Sequence, residues 1–119
     1  MNSKTAKKLL SNINFSQTRN IARNKLGQNL AIQEIELSSD DLIQKFIHQN
    51  GKCYWSAISL NESYNYISRH PLAISVDRLD NKIGYVNSNV VLTLRLFNLG
   101  KGSYSGDFST IINQIKLEW

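Results

Sequence analysis

In the first thirty residues, Ala6, Leu9, Leu10 and Ile13 recur at helical spacing within polar sequence, which predicts a helix over 1–30 with Gly27 as a break. Residues 29–37 alternate without a decisive period and stay unassigned. Next, Ser38-Ser39-Asp40-Asp41 precedes an apolar face at Leu42, Ile43, Phe46 and Ile47. A hydroxyl cap followed by acids in the first turn predicts a helix over 40–49, closed by Gly51 as its C-cap glycine. Cys53-Tyr54-Trp55 reads as a short extended piece with Trp55 facing the core, and the polar, proline-containing stretch 61–72 reads as a loop. A strand over 73–79, a turn at 80–84 in which Gly84 supplies a positive φ, and a second strand over 89–92 follow. Residues 94–100 read as helical, with Gly100 or Gly102 as the stop. Phe108, Ile111, Ile112 and Ile115 predict a closing amphipathic helix that ends near Trp119. The fold class is therefore α+β.

The chain has 119 residues and 41% hydrophobic content, enough for one modest core. No apolar run reaches the roughly 18–20 residues of a membrane span, so no membrane partner is expected. The first residues show neither a long apolar segment nor a small-residue cleavage site, so a secretory signal is not expected. A single cysteine, Cys53, can form no internal disulfide. With only His48 and His70 to help, it also builds no structural zinc site. The reading is a small buried hydrophobe in a reducing, cytoplasmic compartment.

Charge divides the chain. Residues 1–25 hold Lys4, Lys7, Lys8, Arg19, Arg23 and Lys25 and no acid, whereas the rest carries eight bases against nine acids. A basic arm over 1–38 beside a near-neutral body over 39–119 suits binding to a phosphate backbone, because neutralised phosphates release their condensed counterions. The plainer reading is a solvated helix face.

The stretch 74–101 carries the chemistry. It runs strand, loop, strand, helix, with Asp77-Arg78 on the first strand, Asn89 at the loop exit and Asn98 on the helix. A unit of this kind folds back on itself, so its first strand and its helix are neighbours and Asp77 can meet Asn98. Both offer hard oxygen donors, which suit Mg2+ or Mn2+, and such an ion keeps several waters and takes one or two protein ligands.

These residues resemble the HNH (His-Me finger) endonuclease family, and within it the small phage-type members. Those read S-x-D-R-x-D-N-x-x-G-Y-x-x-x-N-V, followed by N-x-x-K-G. The matching positions here are Ser75, Asp77, Arg78, Asp80, Asn81, Gly84, Tyr85, Asn89, Val90, Asn98, Lys101 and Gly102. The run G-K-C-Y-W-S at 51–56 is similar to the way these domains open, and Y-S-G-D-F at 104–108 to their lead into a closing helix. The resemblance covers about 40–116. It implies a ββα-metal finger core flanked by helices and an endonuclease that hydrolyses phosphodiester bonds in DNA, with RNA as a further partner, as a monomer or homodimer. It further implies that Asp77 and Asn98 hold one divalent ion, that Asn89 holds the loop through backbone hydrogen bonds, and that Arg95 and Lys101 contact phosphate. Tyr85 is a candidate for stacking on bases or sugars.

One position departs from the family. Related domains place a water-activating histidine beside the metal-binding acid, and this chain has Arg78 there. A guanidinium stays protonated and is no ordinary base, but it can hold a phosphate as a two-pronged donor. The base then falls to His70, to Asp80 or to water activated at the metal. Two other readings stand beside the nuclease: a nucleic-acid-binding module with a degenerate, non-cleaving site, and a protein-interaction domain whose basic arm docks on an acidic partner.

Overall fold

The structure, a computed structural model, describes residues 1–30 and 32–98. Lys101, the glycine stops at 100 and 102 and the helix expected after Phe108 lie outside the described residues.

Helix α1 spans Ser3–Lys25 and starts on Asn2, whose side chain accepts from the Thr5 N–H at 2.9 Å. It ends as a Schellman turn: Gln28 N–H donates to Arg23 O and Gly27 N–H to Asn24 O, with Gly27 at φ 95, where a side chain would be strained. Its first half packs against the second helix and puts Ala6, Leu9 and Ile13 into the core. Over its first half α1 is thus part of the packed core. The second half exposes Phe15 and Leu26.

Helix α2 spans Ser39–His48 behind a capping box in which Ser38 and Asp41 satisfy each other's backbone N–H. Two residues turn the chain out of α2, both left-handed: Asn50 at φ 56 and the expected glycine, Gly51, at φ 65. Asn50 N–H closes on Ile47 O and Gly51 N–H on Phe46 O, the same closure with asparagine in the place of Gly27.

Strands β2 (Ile74–Arg78) and β4 (Val90–Leu94) pair antiparallel, Ile74 opposite Leu94 and Arg78 opposite Val90. Contacts from Leu79 N–H to Asn89 O and from Arg95 N–H to Ala73 O extend the ladder at both ends. Two very short strands, β1 (Ile35–Glu36) and β3 (Tyr85–Val86), pair in parallel. Ile74, Val76, Leu92 and Leu94 on one face of β2 and β4 join Leu42 and the α1 residues in a single core, which Cys53, Leu60 and Phe97 complete.

Among the described residues the sheet has two strands, and an amide side chain meets the outer edge of each. Asn65 accepts from Ile74 N–H at 3.0 Å and donates to Ile74 O at 2.9 Å. Gln49 does the same for Leu92, at 2.9 Å in each direction. Each amide imitates the backbone of a missing strand.

Four local expectations are corrected. Residues 53–57 form a tight turn rather than an extended piece, with Ala57 N–H on Cys53 O and Ala57 at φ 60. The loop 61–72 contains a 3-10 helix, Glu62–Tyr66, because Asn61 caps it by accepting from Ser63 N–H. Asn89 belongs to a single 3-10 turn, Asn87–Asn89, and the strand starts after it. Gly84 has no positive φ: it is needed because an added Cβ would stand 2.5 Å from Glu34 O, where β1 and β3 press together.

No helix among the described residues is long and apolar enough to cross a membrane.

Candidate functional site

Alternation along β2 puts Ser75 and Asp77 on one face, with Thr93 and Val91 opposite them on β4. Asp77 is 5% exposed, and its Oδ2 accepts from the Trp55 indole Nε1–H at 3.0 Å. The tight turn at 53–57 carries Trp55 to this position, so Trp55 is more than the core filler its sequence context suggested. Residues 95–98 are helical and return the chain to β2. Asn98 Nδ2 donates to Ser75 Oγ at 2.9 Å and to Val76 O at 3.3 Å. Asn98 thus rests on the two residues before Asp77, with its Nδ2 turned to the strand.

As ligands, a carboxylate at Asp77 and a carboxamide oxygen at Asn98 are hard donors that fit Mg2+ or Mn2+. Among the described residues no three His, Cys, Asp or Glu side chains cluster. The donor set would therefore leave most of an ion's coordination to water and substrate.

The loop between β2 and β3 is tied down from both ends. Asn89, 6% exposed, donates through Nδ2 to Asp80 O, Ile83 O and Gly84 O, and its Oδ1 accepts from Asp80 N–H at 2.9 Å. Arg78 reaches back to the same loop, donating from Nη1 to Asn81 O at 2.9 Å, with its guanidinium 5.0 Å from the Tyr85 ring centroid. The residue in the family's base position therefore spends part of its fork on loop carbonyls.

A cavity of about 450 Å3 opens between α1, residues 65–70, β2 and the 95–98 turn. Among the described residues its walls include the cations Lys8, Arg69 and Arg95, together with His70, Tyr85 and Asn98, and no acidic side chain. Asp77 shares its face of β2 with the lining residue Ser75 but is not itself a lining residue; its Oδ2 accepts from Trp55 instead.

His70 stacks on Tyr64 with ring centroids 4.2 Å apart, and its Nδ1 accepts from Leu72 N–H at 3.1 Å. In that contact Nδ1 is the acceptor, so the neutral ring carries its hydrogen on Nε2 and presents a donor there. His70 thus stands on the cavity wall with one ring nitrogen engaged.

The remaining basic candidates, Lys4, Lys7, Arg19, Arg23 and Lys25, are exposed along α1 and do not line the cavity. Lys4 and Lys8 lie over the Tyr66 ring at 5.0 and 5.8 Å. Near the site, burial pushes the Cys53 thiol up, while hydrogen bonds with Ser56 and Thr93 and with backbone groups outweigh burial and leave it below its ordinary value. On β1, the Glu36 carboxylate hydrogen-bonds with Glu34 and repels its charge, raising Glu34 above its ordinary 4.5.

Trp55, Arg69 and Asn65 are the site residues that the sequence reading missed. Arg69 sits in left-handed backbone at φ 55, a conformation that nothing in its neighbours' side chains announces. Compared with known proteins, the chain matches no family model, no curated protein and no solved structure.

Proposed function

We propose that this chain is a metal-dependent endonuclease that hydrolyses phosphodiester bonds in DNA, with β2, β4 and residues 95–98 as a ββα-metal finger. One observation carries the reading. Asn98 lies on β2 at Ser75 and Val76, beside the buried Asp77 and on the wall of a cavity lined by cations without an acid. The sequence resemblance to HNH domains assigns the two metal ligands to Asp77 and Asn98.

The ion's contribution would be Lewis-acid stabilisation of charge on the scissile phosphate, worth several kcal/mol. The chain's own side chains do the rest. Trp55 orients the Asp77 carboxylate through Nε1–H. Lys8 and Arg95 attract the phosphate into the cavity, and His70 offers Nε2–H to a phosphate oxygen or to the leaving oxygen. Asn89 and Arg78 hold the 79–84 loop in shape. Proton acceptance from water falls to Asp80, to water activated at the metal, or to His70 once its Nδ1 releases the Leu72 N–H.

A second reading, a nucleic-acid-binding module that does not cleave, is favoured by the same two facts about bases: Arg78 is engaged with Asn81 O, and His70 Nδ1 is occupied. A plasmid-nicking assay separates the two. The intact chain, Asp77→Ala, Asn98→Ala and His70→Ala are each compared in Mg2+, in Mn2+ and with chelator. The nuclease reading expects nicking that needs the ion and vanishes in Asp77→Ala while DNA binding survives. Salt-sensitive binding with no nicking in either metal assigns the chain to the second reading. No affinity for nucleic acid at roughly 50–150 mM salt, where phosphate contacts still hold, rejects both.

A further inference from the structure

The cavity is concave, and that geometry selects among nucleic acids. We infer that it takes the phosphate and sugar of an unpaired nucleotide, with Lys8, Arg69 and Arg95 as the anion clamp, so that the preferred ligand is a single-stranded segment rather than intact duplex. This inference rests on the reading of the chain as one that acts on nucleic acid, but not on cleavage or on a metal.

Three observations support it. First, about 450 Å3 lies in the range of pockets that enclose a small ligand, about 300–1,000 Å3, which accommodates one nucleotide and not a double helix. A paired nucleotide reaches such a pocket only by leaving its stack, at an energetic penalty that an unpaired one avoids. Second, the cations are available. Among the described residues no carboxylate pairs with Lys8, Arg69 or Arg95, and their sites are on three separate elements that converge on one volume. Third, aromatic rings are part of the wall. His70 and Tyr85 line the same cavity, and a cationic groove with rings is the usual platform for unpaired bases. Within the second observation, Arg69 holds a left-handed φ of 55, which a glycine would adopt without strain, at a position where its side chain lines the cavity.

The test is binding in chelator, which silences any cleavage. Fluorescence anisotropy compares a labelled single strand with a blunt duplex of the same sequence, for the intact chain, Arg69→Gly, Arg95→Ala and Lys52→Ala. Lys52 is exposed and away from the cavity, so it controls for the loss of one charge. Arg69→Gly suits the backbone at that position, and circular dichroism verifies that each variant is folded. The single strand is expected to bind at least about tenfold more tightly than the duplex. Arg69→Gly and Arg95→Ala should each weaken it about tenfold and reduce the slope of log K against log salt by about 0.7 per lost contact, with Lys52→Ala near the intact chain. The inference is overturned by a duplex bound as tightly as the single strand, or by cavity variants that differ no more than Lys52→Ala. Nicking by the intact chain alongside that outcome leaves the nuclease reading standing. Absence of nicking with the expected binding losses leaves the cavity assignment standing.

Discussion

Trp55 Nε1 lies 3.0 Å from Asp77 Oδ2, joining a tight turn to the middle of a strand across 22 residues of sequence. Hydrogen bonds to charged groups contribute about 1.5–3 kcal/mol when buried. Trp55→Phe keeps most of the ring volume and removes the donor. It should lower the urea midpoint by an amount equivalent to about 1.5–3 kcal/mol at unchanged m-value, and on the nuclease reading it should reduce nicking more than DNA binding. An unchanged midpoint would show that the indole does not hold the carboxylate.

Asn89 is the second point of leverage. Its carboxamide serves three carbonyls and one N–H of the 79–84 loop from a buried position. Asn89→Ala strands those groups and should destabilise the fold by about 3 kcal/mol or more. Asn89→Asp should be no better, because a carboxylate would face three carbonyl oxygens. Thermal melts of the two variants decide this: an aspartate variant as stable as the intact chain contradicts it.

Gly84→Ala tests the close approach of β1 and β3. The new Cβ has to push Glu34 O away from 2.5 Å, and the hydrogen bond from Tyr85 N–H to Glu34 O sits at the same crossing. A loss of about 1–3 kcal/mol is expected, with faster amide exchange at Tyr85 than at Leu92. Equal exchange rates in variant and intact chain would mean that the strands separate without penalty.

Acid stability should carry the signature of Glu34. Its folded-state pKa lies above the ordinary 4.5, first through the hydrogen bond with Glu36 and then through like charge. The folded protein therefore binds this proton more tightly than the unfolded chain does, and the contribution favours folding below about 4.5 and fades as pH rises through the raised value. Glu34→Gln should remove that downward slope, leaving melting temperature flatter with pH just above 4.5 than in the intact chain. Melting curves taken in steps across that interval provide the comparison, and identical slopes would refute the assignment.

Much of the frame was legible in residue order. The Ser38–Asp41 capping box predicts the start of α2 because capping is local chemistry, and the β-branched run around Val76 predicts β2 because burial on a pleat favours it. What escaped detection was nonlocal. The indole of Trp55 finds Asp77, and the amides of Asn65 and Gln49 find backbone groups 9 and 43 residues away, through contacts that leave no periodic trace. Gly84 was read as a turn glycine, but the reason for it lies on another strand. At the candidate site, the sequence named Asp77, Asn98, Lys8 and Arg95 as candidates, whereas Arg69 and the engagement of His70 Nδ1 by the Leu72 N–H depend on the folded backbone.

The amides of Asn65 and Gln49 have a consequence for how copies of this chain can meet. A bare two-stranded ribbon invites a neighbour to join its ladder and grow into stacked aggregates. Here both margins are already occupied, on one side by Asn65 and Asn98 and on the other by Gln49 and the Tyr54 N–H. Those margins therefore offer a second copy fewer free backbone groups to pair with than a bare ribbon would.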